Sequence, residues 1–266
     1  MSSRSEPGEK MGFLASSMRV RARFRRCKRF WAPHIEKTRE AVLEAAHKCG
    51  RRRRVAVLGA GLLHDIPLGE LCKLFEEVML VDIVHPWLSR VCTRRFGNVK
   101  QICADVTEVM EELRQAAKFP QRALPFSHPT LFINDPRLDL TLSVNLLSQL
   151  SHVPANYLNG LRDEQTIGAF ERQLIEAHLE FLGRLPGRTA LITDIAIRQT
   201  MRSSGIWQEW DPLHGVRLPP PERTWQWHLA PSPESGRGID IHTTVAAYTD
   251  WKKAVGGAVY QASGID

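Results

Sequence analysis

The sequence predicts an α/β fold built on a mostly parallel sheet. Three observations carry that expectation. Short β-branched runs alternate with segments of helical periodicity, glycines stand at a strand-to-helix junction, and a β-rich stretch follows the last long helical pattern.

Taken in order, Pro33 to Lys48 has Ile35, Val42, Leu43, Ala45 and Ala46 near helical spacing, with Pro33 suited to a first turn. Arg53 to Leu58 reads as a buried strand ending in glycines, and Val78 to Val84 as a second with an acid near its end. Between them Leu68, Leu71, Leu74 and Phe75 share a helical face, which completes a βαβ unit. The alternation continues with a helix at Trp87 to Phe96, a strand at Val99 to Cys103 and a helix at Thr107 to Lys118. After a proline-rich stretch at 119–137 a strand is expected at Asp139 to Asn145. A long helix from about Glu164 to Leu185 stops at Pro186-Gly187, before a strand at Thr189 to Ile195. Past an irregular loop at 198–222, Trp225 to Ala230 and Asp240 to Tyr248 read as an antiparallel hairpin closing the sheet.

The chain has 266 residues, 36 Lys and Arg against 29 Asp and Glu, and 43% hydrophobic residues, so a full core can form without disulfide or metal staples. Cys27, Cys49, Cys72, Cys92 and Cys103 form no CxxC pair, and their odd number fits a reducing, cytoplasmic setting. The ten histidines show no metal-binding spacing, so no metal is expected. No apolar run is long enough for a membrane span. The formal charge of +7 is local: it sits in Arg19 to Arg29 and in Arg51 to Arg54. A nucleic-acid groove is therefore not supported. Residues 1–30, basic and weakly periodic, are expected to be a disordered or loosely docked arm before a single domain at 31–266.

The most informative stretch is Val55-Ala56-Val57-Leu58-Gly59-Ala60-Gly61, because glycines at the end of a strand let the backbone turn tightly and approach a ligand. Asp82, some twenty residues on at the end of the second strand, is placed to accept both hydroxyls of a ribose. Asp105, after the third strand, suits either an adenine amino group, with the Val106 N–H beside it, or a helix N-cap.

With these residues in view, the run GAG, LVDI, ADVT and SVNLLSQL resembles the nucleotide-binding half of the class I S-adenosylmethionine-dependent methyltransferases, over roughly residues 50–250. The resemblance implies a seven-stranded Rossmann-like sheet with an antiparallel last strand and S-adenosyl-L-methionine as cofactor. Gly59, Ala60 and Gly61 would lie under its methionine part, Asp82 and Ile83 by the ribose, Asp105 and Val106 around the adenine, and Asn145 by the reacting end. Val57 stands where that family has an acid at the end of the first strand, and Leu63 where it has a third glycine; Asp65 is the candidate replacement carboxylate. Gln149, Trp207 and Trp210 are the candidates for the acceptor side, the tryptophans as a lid over a small-molecule acceptor. No catalytic group is singled out. A methyltransferase is the first expectation, and a non-catalytic S-adenosylmethionine- or nucleotide-binding protein the alternative.

Overall fold

A computed structural model describes residues 11–119, 121–205 and 207–256, with the side chain of Trp207 outside the description. The strands are β1 (Arg54–Leu58), β2 (Glu77–Asp82), β3 (Val99–Cys103), β4 (Leu138–Val144), β5 (Arg188–Met201), β6 (Trp207–Trp210), β7 (Arg223–Ala230) and β8 (Ile239–Tyr248). The helices are α1 (Phe13–His47), α2 (Leu68–Leu74), α3 (Trp87–Thr93), α4 (Met110–Ala116), α5 (His152–Leu158), α6 (Glu164–Arg184) and α7 (Trp251–Gly256).

The sheet runs β3-β2-β1-β4-β5-β8-β7, with short β6 paired to β5. The first five strands are parallel, β8 is antiparallel to β5, and β7 is antiparallel to β8. This is the expected Rossmann-like sheet with one strand more than the expected seven. Strand order reverses between β1 and β4, which opens a crevice at their carboxyl ends.

Alternate residues of each parallel strand point to opposite faces, and both faces are covered, so β1, β2 and β4 bury nearly every side chain. Val55, Val57, Leu140 and Leu142 meet α1 and α2 on one side. Ala56, Leu58 and Leu191 meet α6 and α7 on the other. Helix α6 begins at the Asp163 cap, whose carboxylate accepts the Thr166 N–H at 2.8 Å. It buries Leu174, Ile175, Leu179, Phe181 and Leu182, as its periodicity predicts.

Two expectations fail. Residues 13–30 are not an arm but the first half of α1, which spans 35 residues and about 50 Å. Pro33 accordingly lies inside the helix rather than in its first turn. The physical reason is a stripe of unconventional core residues, Cys27, Trp31, His34, Thr38, Ala41 and Ala45, all buried at alternating three- and four-residue intervals. Trp31 donates its indole N–H to the Leu229 carbonyl (2.9 Å), and Arg23 and Arg26 both pair with Glu234 beyond β7. Such anchoring offsets the roughly 3 kcal/mol that an interior proline costs. Residues 1–10 lie outside the described residues.

The second failure concerns 198–222. β5 continues nine residues past Ile192, which pairs with Val144 at the end of β4, and pairs there with β8 and β6. A β-ribbon, on the order of 30 Å long, therefore projects beyond the carboxyl edge of the sheet and takes up 198–201 and 207–210, whereas 211–222 is irregular as expected.

Candidate functional site

The carboxyl ends of β1, β2 and β4 meet at the crevice. Gly59 and Gly61 both have positive φ (73° and 45°). A side chain at Gly59 would put its Cβ 2.9 Å from the Leu146 Cβ, so this turn needs glycine for space as well as for φ. The N–H groups of Gly59 and Ala60 donate to the Val81 carbonyl (3.0 and 3.2 Å), which draws the loop over β2. Leu63 too has positive φ, 62°, in the place of the third glycine.

Asp82 receives this loop. Its Oδ2 accepts the Gly61 N–H at 2.7 Å and its Oδ1 the Val84 N–H at 3.1 Å. Burial pushes the carboxyl above its ordinary range, against the pull of those two donors. A carboxylate has about four acceptor positions, so two remain for hydroxyl donors. Ile83 is half-buried and lines a cavity of about 250 Å³ with Val84, Trp87, Arg90, Cys103 and, from α1, Leu14.

At the neighbouring gap Asp65 meets Asn145. The Asn145 amide Nδ2 donates to Asp65 Oδ2 at 2.6 Å and lies 3.2 Å from His34 Nε2. His34 Nδ1 in turn accepts the Trp225 indole N–H (3.1 Å), and its ring stacks on Trp227 at 3.9 Å. Burial lowers the His34 pKa to about 3 and raises that of Asp65. Asn145 adopts positive φ (50°), a conformation asparagine tolerates. Its Oδ1 is buried without a partner, as is one oxygen of Asp194.

Asp194 sits at a bulge of β5, 4% exposed, and shares a sheet face with Val245 and Trp225 through the β5–β8–β7 register. Ser148 donates to its other oxygen at 3.2 Å, and burial pushes its pKa up to about 6. Neither His34 nor Asp194 was singled out from the sequence. An acid interrupting the buried run Leu191-Ile192-Thr193-Asp194-Ile195 was the signal for the second. The first had none beyond its place on a helical stripe.

Other expected site residues lie elsewhere or are otherwise engaged. Asp105 caps its own turn: Oδ1 accepts from Thr107 N (2.8 Å) and Oγ (2.6 Å), and Oδ2 from Met110 N (2.9 Å). Ala60 and Val106 bury their side chains in the two main cores. Gln149 is exposed, with its amide 3.4 Å from Ser148 Oγ. Trp225 and Trp227 are core, as their alternation predicts. Trp210 is 38% exposed on β6, opposite Ile197, and the Trp207 backbone pairs with Thr200; neither is in an irregular loop. The Trp207 side chain lies outside the described residues. Among the described residues no group of His, Cys, Asp or Glu could hold a metal ion, and no helix is long and apolar enough to cross a membrane.

Helix α1 roofs the crevice. Trp31 packs edge-on against Trp227 (4.8 Å), Phe24 stacks on His64 after the glycine loop (3.7 Å), and Met11 reaches the cluster around Val109 and Met110. The helix therefore crosses from β7 to the ends of β2 and β3.

No family model matches the chain, and no curated protein matches it. Among solved structures it is similar to the N-methyltransferase NodS from Bradyrhizobium japonicum WM9 in complex with S-adenosyl-L-homocysteine, at 12% identity and TM-score 0.39, covering 82% of this chain and 87% of that one. It is also similar to DhpI in a complex with S-adenosylhomocysteine, at 13% identity and TM-score 0.37, covering 86% and 93%. A third is the Burkholderia thailandensis 1,6-didemethyltoxoflavin-N1-methyltransferase, at 15% identity and TM-score 0.34, covering 89% of each chain. Identities and TM-scores this low assign no residue a role. The fold is Rossmann-like on its own strand order.

Proposed function

We propose that this protein is an S-adenosylmethionine-dependent methyltransferase acting on a small-molecule acceptor. The observation that carries this reading is the Asp82 carboxylate held against the Gly61 N–H at the topological switch point. The residues present fit the cofactor. Asp82 offers free acceptor positions to the ribose hydroxyls. Asp65 and the unpartnered Asn145 Oδ1 suit the ammonium of the methionine part. The cavity beside Ile83 takes the adenine edge. When bound, the cofactor supplies an electrophilic methyl group, and transfer then depends mainly on positioning.

The chain's own residues supply that positioning and a proton acceptor. Helix α1 excludes water from above, and the Asn145–His34–Trp225 hydrogen bonds fix the wall of the crevice. Asp194, whose pKa burial raises to about 6, is placed on β5 just past its pairing with β4 to hold a proton from a nitrogen or oxygen acceptor near neutral pH. Trp210 and Gln149 border the acceptor side on the projecting ribbon and after β4.

A dinucleotide is disfavoured because His64, stacked on Phe24, takes the third glycine place of a GxGxxG loop. Moreover, α2 starts only at Leu68, so no helix N-terminus adjoins Gly61. A binding protein without transfer is the second reading, favoured by Val57 and Leu63. Mass spectrometry of the protein as purified tests the proposal. An adenosyl compound of the methionine or homocysteine type supports it, and NAD in its place refutes it.

A further inference from the structure

We propose that the face formed by the first half of α1 together with α3 docks on an anionic lipid bilayer. The two segments that build it, residues 11–35 and 83–104, contain no Asp or Glu. The sequence keeps them apart; the fold sets them side by side, since Leu14 of α1 lines one cavity with Trp87 and Arg90 of α3. Arg21 and Lys28 likewise line a larger groove with Leu88, Cys92 and Arg95.

Apolar side chains stand exposed among these cations. Trp87 is 65% exposed, and Met18 and Val91 are 45% and 47% exposed. On α1, Leu14, Met18, Arg21, Arg25 and Lys28 recur at alternating four- and three-residue intervals, one stripe beside the buried one. Among the described residues Arg21, Arg25, Lys28, Arg90 and Arg94 enter no ion pair, whereas Arg23 and Arg26 on the next stripe are held by Glu234. The acids of the groove are Glu36 and Glu40, two turns or more beyond Lys28 along α1, and Glu70 on α2, outside both segments.

Charge complementarity selects a negative partner, and the apolar residues select its kind. Tryptophan and aliphatic side chains amid arginines gain by entering the interfacial layer of a bilayer while the guanidinium groups stay at the phosphates. A nucleic acid would satisfy the cations and leave Leu14, Met18 and Val91 in water. Docking here is peripheral, since no described helix can span.

The test is co-sedimentation of the full chain with vesicles of phosphatidylcholine alone and of phosphatidylcholine with about 30 mol% phosphatidylglycerol. The expected result is roughly tenfold stronger partitioning onto the anionic vesicles, reduced by high salt. Two double variants separate the contributions, each checked for an unchanged melting temperature. Trp87→Ser with Val91→Ser keeps every charge, and Arg90→Glu with Arg94→Glu keeps the apolar groups; each is expected to lose most of the binding. Exposed positions make the first pair safe for folding. Equal partitioning onto both vesicle types overturns the proposal. So does binding to a DNA duplex that the Trp87→Ser, Val91→Ser variant retains in full while vesicle binding is absent.

Discussion

Replacing His34 by Asn tests whether α1 is part of the folded core. The imidazole is 2% exposed and burial lowers its pKa to about 3, against an ordinary value near 6.5. A histidine whose folded pKa is depressed contributes stability that is fully present above the unfolded pKa and is lost as pH falls from about 6.5 toward about 3. Between pH 7 and 5 the unfolded ring takes up most of a proton while the folded ring takes up almost none. At 1.36 kcal/mol per unit this costs about 2 kcal/mol. Asparagine keeps an acceptor at the position of Nδ1 for the Trp225 N–H and cannot titrate. His178, lowered to about 4, and Asp194, raised to about 6, titrate in both proteins and cancel in the comparison. Urea unfolding followed by circular dichroism at pH 7, 6 and 5 gives both stability curves. The variant should be less stable at pH 7 through lost stacking on Trp227, yet lose about 2 kcal/mol less than the parent on going to pH 5. Parallel curves would refute the burial of His34 and with it the seating of α1 on the sheet.

The other expectations concern the same roof and floor. Deleting residues 1–29 removes buried Met11 and Cys27 and both arginine contacts to Glu234, so differential scanning calorimetry should show a melting temperature lower by roughly 10 °C. An unchanged value would restore the disordered arm. Gly59→Ala should destabilise by about 2–4 kcal/mol in urea, from positive φ plus the clash with Leu146; a neutral result would mean the loop readily refits. Asp194→Asn removes a carboxyl whose folded pKa is raised, a cost that sets in as pH rises from the ordinary value through about 6. The variant should therefore be more stable than the parent at pH 8 and equal to it at pH 4, and less stable at both if the carboxylate is well paired.

How far the sequence spoke depended on whether a residue's surroundings were local. The turn at Gly59 and Gly61 and the acid at Asp82 follow from a strand, a helix and a strand in succession, and the structure joins them through the Gly61–Asp82 hydrogen bond. The hairpin of β7 and β8 was equally plain, because alternation and turn residues are short-range signals. Helix α1 was not. Its buried stripe uses Cys27, Trp31, His34, Thr38 and Ala41, whose burial depends on a partner surface, Trp225 and Trp227, nearly two hundred residues away. Arginines at intervening positions hid the period. β5 was cut short for a related reason, since its outer half is half-buried and stabilised by pairing with β8 and β6 rather than by apolar composition. Asp105 could be read from the sequence as either cap or ligand; only the fold, by giving both its oxygens to Thr107 and Met110, showed the cap.

The cofactor assignment rests most directly on Asp82. Titration calorimetry of S-adenosylhomocysteine into the full chain and into Asp82→Ala decides it, with circular dichroism to show that the variant is folded. The account predicts saturable binding to the parent and a loss of on the order of 2 kcal/mol, roughly thirtyfold, in the variant, because a charged acceptor of the ribose hydroxyls is removed. Absence of binding to the parent, or equal affinity in a folded variant, would contradict it.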